Sequence, residues 1–155
     1  MPGRPGGSLA RVRLSLQPSL DPGDYRYLHR IRTRFAETDA MGIIHHGAYP
    51  AYLEEARSAL LRDAGHPYGD VRADGLDFVV LELAIRYRLP LRFEDRVDLH
   101  VVVGAVTRTT FQVGYLVAVA GEARATAVTV HGAVDSRGRP SRLPAWLAEV
   151  AAAAG

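Results

Sequence analysis

The chain is 155 residues long, 48% hydrophobic and 23% charged, which is the length and balance of one globular domain; a second full domain would leave too little core for either. It has no cysteine, which excludes disulfides, thiolate–metal sites and a cysteine nucleophile, and no apolar run reaches the ~18–20 residues that span a bilayer. All 19 basic residues are arginine, set among 17 acids for a formal net charge of +2, and no basic block forms that would favour nucleic acid as a partner.

Residues 1–24 are rich in glycine and proline. Arg11 and Arg13 interrupt the leucines that a signal peptide would need as one continuous apolar run. This stretch is expected to be a disordered or loosely docked arm, followed by a single domain over 25–155. Without a targeting segment, the default location is the cytoplasm. From Tyr25 to Phe35 the pattern has period two. Tyr27, His29, Ile31 and Thr33 lie on one side; Leu28, Arg30, Arg32 and Arg34 lie on the other. The alternation stops at Glu37.

Tyr49 to Ala64 reads as a helix. Tyr49, Tyr52, Leu53, Ala56 and Leu60 recur at helical spacing, and Gly65 followed by Pro67 is a stop signal. After a loop to Leu76 come four strand-like runs, Asp77–Leu89, Arg96–Val106, Thr109–Ala120 and Ala123–Asp135. Gly121 marks a tight hairpin. Pro144 to Ala154 is a short terminal helix. The order is strand, long helix, then four strands able to form an antiparallel meander, which makes an α+β domain. Thr109–Ala120 is apolar on both sides, and one helix cannot cover two faces of a sheet. A partner surface follows, hence a homo-oligomer, either a dimer or a tetramer built from dimers.

The segment that carries chemistry runs from Phe35 to Arg57. Asp39 lies in the loop between strand and helix. Gly42 follows at a distance of three residues, where backbone can approach a ligand without a Cβ in the way. The helix opens near His46 to Ala48, and its free N–H groups favour negative charge. A carboxylate beside a helix N-terminus suits acyl transfer: the N–H groups stabilise an oxyanion while the acid attacks or activates water. His45 and His46 are adjacent, so on a helix their side chains diverge by about 100° and do not chelate one metal. No metal is expected. Glu54 is expected in an ion pair with Arg57 or a strand arginine, and His29, His100 and His131 at the surface or an interface.

Asp39, Gly42, Ile43, Ile44, His46 and Tyr49, continued by Glu54, Ala56 and Arg57, resemble the motif of the hotdog-fold acyl-CoA thioesterases of the 4-hydroxybenzoyl-CoA thioesterase superfamily. The resemblance covers roughly Tyr25 to Leu147. It implies a hotdog fold, an antiparallel sheet wrapped around one long central helix. It also implies hydrolysis of an acyl or aryl thioester of coenzyme A or of an acyl-carrier protein. Asp39 would be the catalytic carboxylate, as nucleophile or as base. The His46 N–H would be the oxyanion donor, and Gly42 would permit thioester approach. Tyr49 and His45 would be substrate contacts, and Arg108 would bind a coenzyme A phosphate, with Arg137, Arg139 and Arg142 as further candidates. No cofactor is implied beyond the coenzyme A of the substrate. Many relatives carry Asn just before the helix tyrosine; here that residue is Ala48. Two alternatives are a non-catalytic acyl-thioester-binding module and a thioesterase for carrier-bound polyketides. The loop acid weighs against both.

Overall fold

The computed structural model describes residues 14–154. The first thirteen residues of the expected arm lie outside them. The strands are β1 (Tyr27–Arg32), β2 (Asp77–Tyr87), β3 (Arg96–Gly104), β4 (Thr110–Val119), β5 (Glu122–Val134) and the two-residue β6 (Pro140–Ser141); the helices are α1 (Tyr49–Asp63), α2 (Tyr68–Ala73) and α3 (Trp146–Ala154).

All strand pairs are antiparallel, in the order β1-β3-β4-β5-β2, with β6 on β5. The expected four-strand meander is therefore only partly formed. β3, β4 and β5 are consecutive hairpins, but β2 lies at the far edge beside β5 and β1 takes the place next to β3. β2 and β5 are the two longest strands, 11 and 13 residues, and their ladder is as long as that of β4 and β5. The register slips between Val80 and Glu82, a bulge at Leu81. In the β4–β5 hairpin Val119 pairs with Glu122, and the two loop residues Ala120 and Gly121 take φ of 50° and 80°. Two positive φ values define the type I′ turn that matches strand twist.

α1 lies across one face of the sheet. Tyr52, Leu53, Ala56 and Leu60 are buried against Val97, Leu99, Val101, Val113 and Val117. The helix ends where the sequence places the stop. Gly65 at φ 90° donates to the Arg62 carbonyl and His66 to that of Leu61, a Schellman cap. α3 packs beside α1 through Leu147 and Val150, and Trp146 stacks on His66 at 3.8 Å.

The opposite face is covered by the chain's own residues 14–25. Val102, Gly104, Gln112 and Gly114 form a slot that holds the Leu16 side chain. A Cβ on Gly104 would come within 2.8 Å of Leu16, and one on Gly114 would overlap it. Gln112 Oε1 accepts the Ser15 and Leu16 N–H groups at 3.0 and 3.1 Å. Further on, Tyr25 stacks at a tilt on His100, and its hydroxyl donates to the Ser19 carbonyl. Leu116 and Ala118 are thus buried within a single chain. The two-sided apolarity of β4, read as a partner surface, is met here by the arm. Among the described residues no helix is long and apolar enough to cross a membrane.

Polar side chains sit between α1 and the sheet. Arg57 donates to the Tyr115 hydroxyl at 3.0 Å, Tyr115 and Thr129 share a hydrogen bond of 2.9 Å, and Thr129 meets His131 Nε2 at 2.7 Å. The four side chains form one continuous network from α1 to the sheet. His131 is buried under Phe111 rather than at the surface, and burial first, then Arg57, depresses its pKa to about 3. His100 is also buried, with its pKa lowered mainly by desolvation. Glu54 makes no ion pair among the described residues; its neighbour Glu55 meets His29 at 3.2 Å, while Arg57 faces inward to Tyr115.

Candidate active site

The loop between β1 and α1 carries two acids with different fates. Glu37 Oε1 accepts the Tyr52 hydroxyl at 2.6 Å and the Arg34 N–H at 2.7 Å. Burial would raise its pKa, but these bonds and the Arg34 guanidinium outweigh burial and hold it below the usual value. Glu37 is committed to the loop. Asp39 is only half so. Its Oδ1 accepts Met41 N–H at 2.8 Å and Ile43 N–H at 3.4 Å. No partner for Oδ2 occurs among the described residues.

Backbone bonds complete the loop. Asp39 N–H donates to the Ile43 carbonyl, Gly42 N–H to that of Asp39, and Ile44 N–H to that of Leu91. Gly42 stands at φ 76°, where a side chain would be strained, so the turn itself requires glycine.

A short 3₁₀ turn, His46–Ala48, precedes α1. His45 Nδ1 accepts the Gly47 N–H at 2.9 Å, and the two imidazoles stack at 4.2 Å. Gly47 N–H is thereby used, whereas His46 N–H meets no acceptor among the described residues. Tyr49 is buried at the start of the helix. Desolvation raises its pKa against a bond from the Leu91 backbone, so it is a neutral phenol at ordinary pH.

A cavity of about 420 Å³ brings these groups together. Asp39, His46 and Tyr49 line it on one side; Tyr87, Arg88 and Pro90, from the end of β2 and the loop after it, line it on the other. The second wall was not foreseen. Its residues lie about forty positions from the loop; the β2–β5 pairing and the bridges of Ile43 and Ile44 to Arg92 and Leu91 bring them back. Arg124 braces that wall, donating to the Pro90 carbonyl at 2.6 Å while its own carbonyl accepts from Arg88 and Leu89. The cavity contains a free carboxylate oxygen, an unused N–H at a helix start, a neutral phenol and a guanidinium. Such a set polarises a carbonyl and supplies a nucleophile or base beside it.

Arg108 is not in this group. It lies in the β3–β4 turn, where its carbonyl accepts the Leu143 N–H, at the opposite end of the sheet from Tyr87. Arg88 is the cation at the cavity of the same chain. His45 acts through its bond to the turn and does not line the cavity.

The family model of the thioesterase-like superfamily matches residues 33–151. The chain belongs to that superfamily. It is an enzyme, a thioester hydrolase, with the hotdog fold. The crystal structure of a hypothetical protein from Aquifex aeolicus is 38% identical, with a TM-score of 0.77 over 81% of this chain and 98% of that one. A DHNA-CoA thioesterase from Staphylococcus aureus is 26% identical, with a TM-score of 0.75 over 82% and 87%. The acyl-CoA thioester hydrolase YbgC of Escherichia coli is 28% identical over 80 residues, 52% of this chain and 60% of that protein.

Proposed function

We propose that this thioesterase hydrolyses an acyl or aryl thioester of coenzyme A, with Asp39 as its catalytic carboxylate and the His46 N–H as oxyanion donor. One observation carries the reading: Asp39 and the opening turn of α1 line one cavity, and the carboxylate keeps an oxygen in reserve. The thioester carbonyl lies toward the His46 N–H, and its carbon faces Asp39 Oδ2. Two routes use this placement. Asp39 takes a proton from water as the water attacks, or Asp39 attacks and a mixed anhydride is then hydrolysed. Both expel the thiolate, and both end with the free acid. The bonds at Oδ1 hold the carboxylate in place, so less of its orientation is lost on reaching the transition state. Tyr49 contacts the acyl group beside the thioester.

With this reading goes a homo-oligomer joined through the β2 edge, where Val80, Leu81 and Leu83 are 53%, 53% and 40% exposed. Antiparallel pairing of two such edges about a two-fold axis sets the Asp77 end of one strand beside the Tyr87 end of the other. The turn bearing Arg108 lies two strands inward from that Asp77 end, ~10 Å at the usual strand spacing. Arg108 would then read a coenzyme A phosphate at the cavity of the other chain.

The test is release of free thiol from a panel of acyl- and aryl-CoA substrates, with Asp39→Asn measured alongside. Rapid turnover of at least one substrate by the native chain, and its collapse in Asp39→Asn, is the expected result. Near-native turnover by a folded Asp39→Asn protein would overturn the assignment.

A further inference from the structure

The His46 carbonyl belongs to the 3₁₀ turn that leads into α1. The Tyr87 hydroxyl donates to it at 3.0 Å across 41 residues of chain. The Tyr87 ring also meets Tyr49 edge to face, with centroids 4.9 Å apart and planes at 84°. The end of β2 thus grips the opening turn of α1 at two points, one polar and one aromatic. No other side chain bonds this turn from outside the loop and helix among the described residues.

We infer that Tyr87 is a positioning residue for hydrolysis, holding the His46–Ala48 turn so that its N–H meets the developing oxyanion. The inference rests on the reading of Asp39 and His46 given above. A bond to the His46 carbonyl fixes the peptide next to the one that carries the donor. It makes no contact with the thioester carbonyl and acts only through the turn. The turn is therefore tied to the strand that forms the second wall of the cavity, and both walls move as one unit.

Tyr87→Phe keeps the ring and its edge-to-face contact and removes only the hydroxyl. Its kcat is expected to fall about ten-fold, with KM within two-fold of native and the melting temperature nearly unchanged, since misplacing a transition-state donor affects the rate more than ground-state binding. A fall in kcat with KM and melting temperature held is the signature of the role. Native kcat in Tyr87→Phe overturns the inference, as does a loss matched by an equal rise in KM. Asp39→Asn, measured in the same series, separates the layers. If Asp39→Asn is inactive and Tyr87→Phe is native, only the positioning role falls; if Asp39→Asn is active, the reading beneath it falls.

Discussion

Two polar clusters flank α1, and they are finished differently. Under the middle of the helix, Arg57, Tyr115, Thr129 and His131 are joined in one continuous hydrogen-bonded chain. At the N-terminus, Asp39 and His46 keep an oxygen and an N–H for which the protein supplies no partner among the described residues. The closed cluster is buried and joins helix to sheet. The open one lines a cavity. Unmet hydrogen-bonding capacity is costly in a core and useful where a substrate will supply the missing partner, so substitutions in the two clusters should affect different properties.

The strongest test of this contrast is Asp39→Asn. Its kcat should fall about 10²–10⁴-fold, the scale for losing a general base. The amide still accepts from Met41 and Ile43, so the melting temperature should barely move. Asp39→Ala, which also removes that acceptor, should cost ~1 kcal/mol of stability in addition, as loss of a capping side chain does. Equal stability losses in both variants would show that the charge, rather than the turn, holds the loop.

Acid should act on the closed cluster in a graded way. His131 is neutral in the fold, with a pKa near 3 against an ordinary 6.5. Below the ordinary value the unfolded chain takes up a proton that the native chain refuses. The contribution is therefore full above pH 6.5 and is lost as the pH falls toward 3, on the order of 4 kcal/mol across that window. Urea titrations of native and His131→Gln proteins at several pH values measure it: the variant should lose stability less steeply with acid.

Thr129→Val should be smaller still. It preserves shape but takes one hydrogen-bond partner from each of Tyr115 and His131, for a loss of ~1–3 kcal/mol. Native kcat should persist. A large drop in kcat without a stability change would break the contrast, because it would place the chain under the helix in the chemistry.

Leu16→Ala, on the far side of the sheet, tests the smallest effect. Its side chain is only partly buried, so a loss of about 1–2 kcal/mol is expected, below the range for full leucine burial. Hydrogen exchange should rise in β3 and β4 and stay native around Asp39.

What the sequence made legible follows from how local each signal is. The stop of α1 at Gly65, the alternation of β1 and the type I′ turn at Gly121 depend on a few neighbouring residues, and they appear within two or three positions of where they were expected. Asp39, His46 and Tyr49 belong to a single loop and helix start, and they line one cavity. Strand order is different. β2 is apolar enough to pair with either β3 or β5, and periodicity does not say which; the match in length and the bulge at Leu81 belong to the assembled sheet. The second wall of the cavity, Tyr87 to Pro90, depends on that order. His131 did carry a signal. It shares its strand face with Thr129 and Ala127, the face opposite Val128 and Val130, and on β4 it pairs in register with Phe111. Arg108 shows the converse: a basic residue in a turn is readable locally, but the end of the sheet at which that turn lies is not.

The slot for Leu16 also orders events in time. Gln112, which receives the N–H groups of Ser15 and Leu16, follows them by 97 and 96 positions, and Gly104 and Gly114 belong to two strands that must already be paired before the slot exists. The arm is therefore synthesised ahead of the surface that receives it. It has no seat until the β3–β4 hairpin has formed, and the closing of so long a loop is slow. Docking of residues 15 and 16 therefore follows the pairing of β3 with β4.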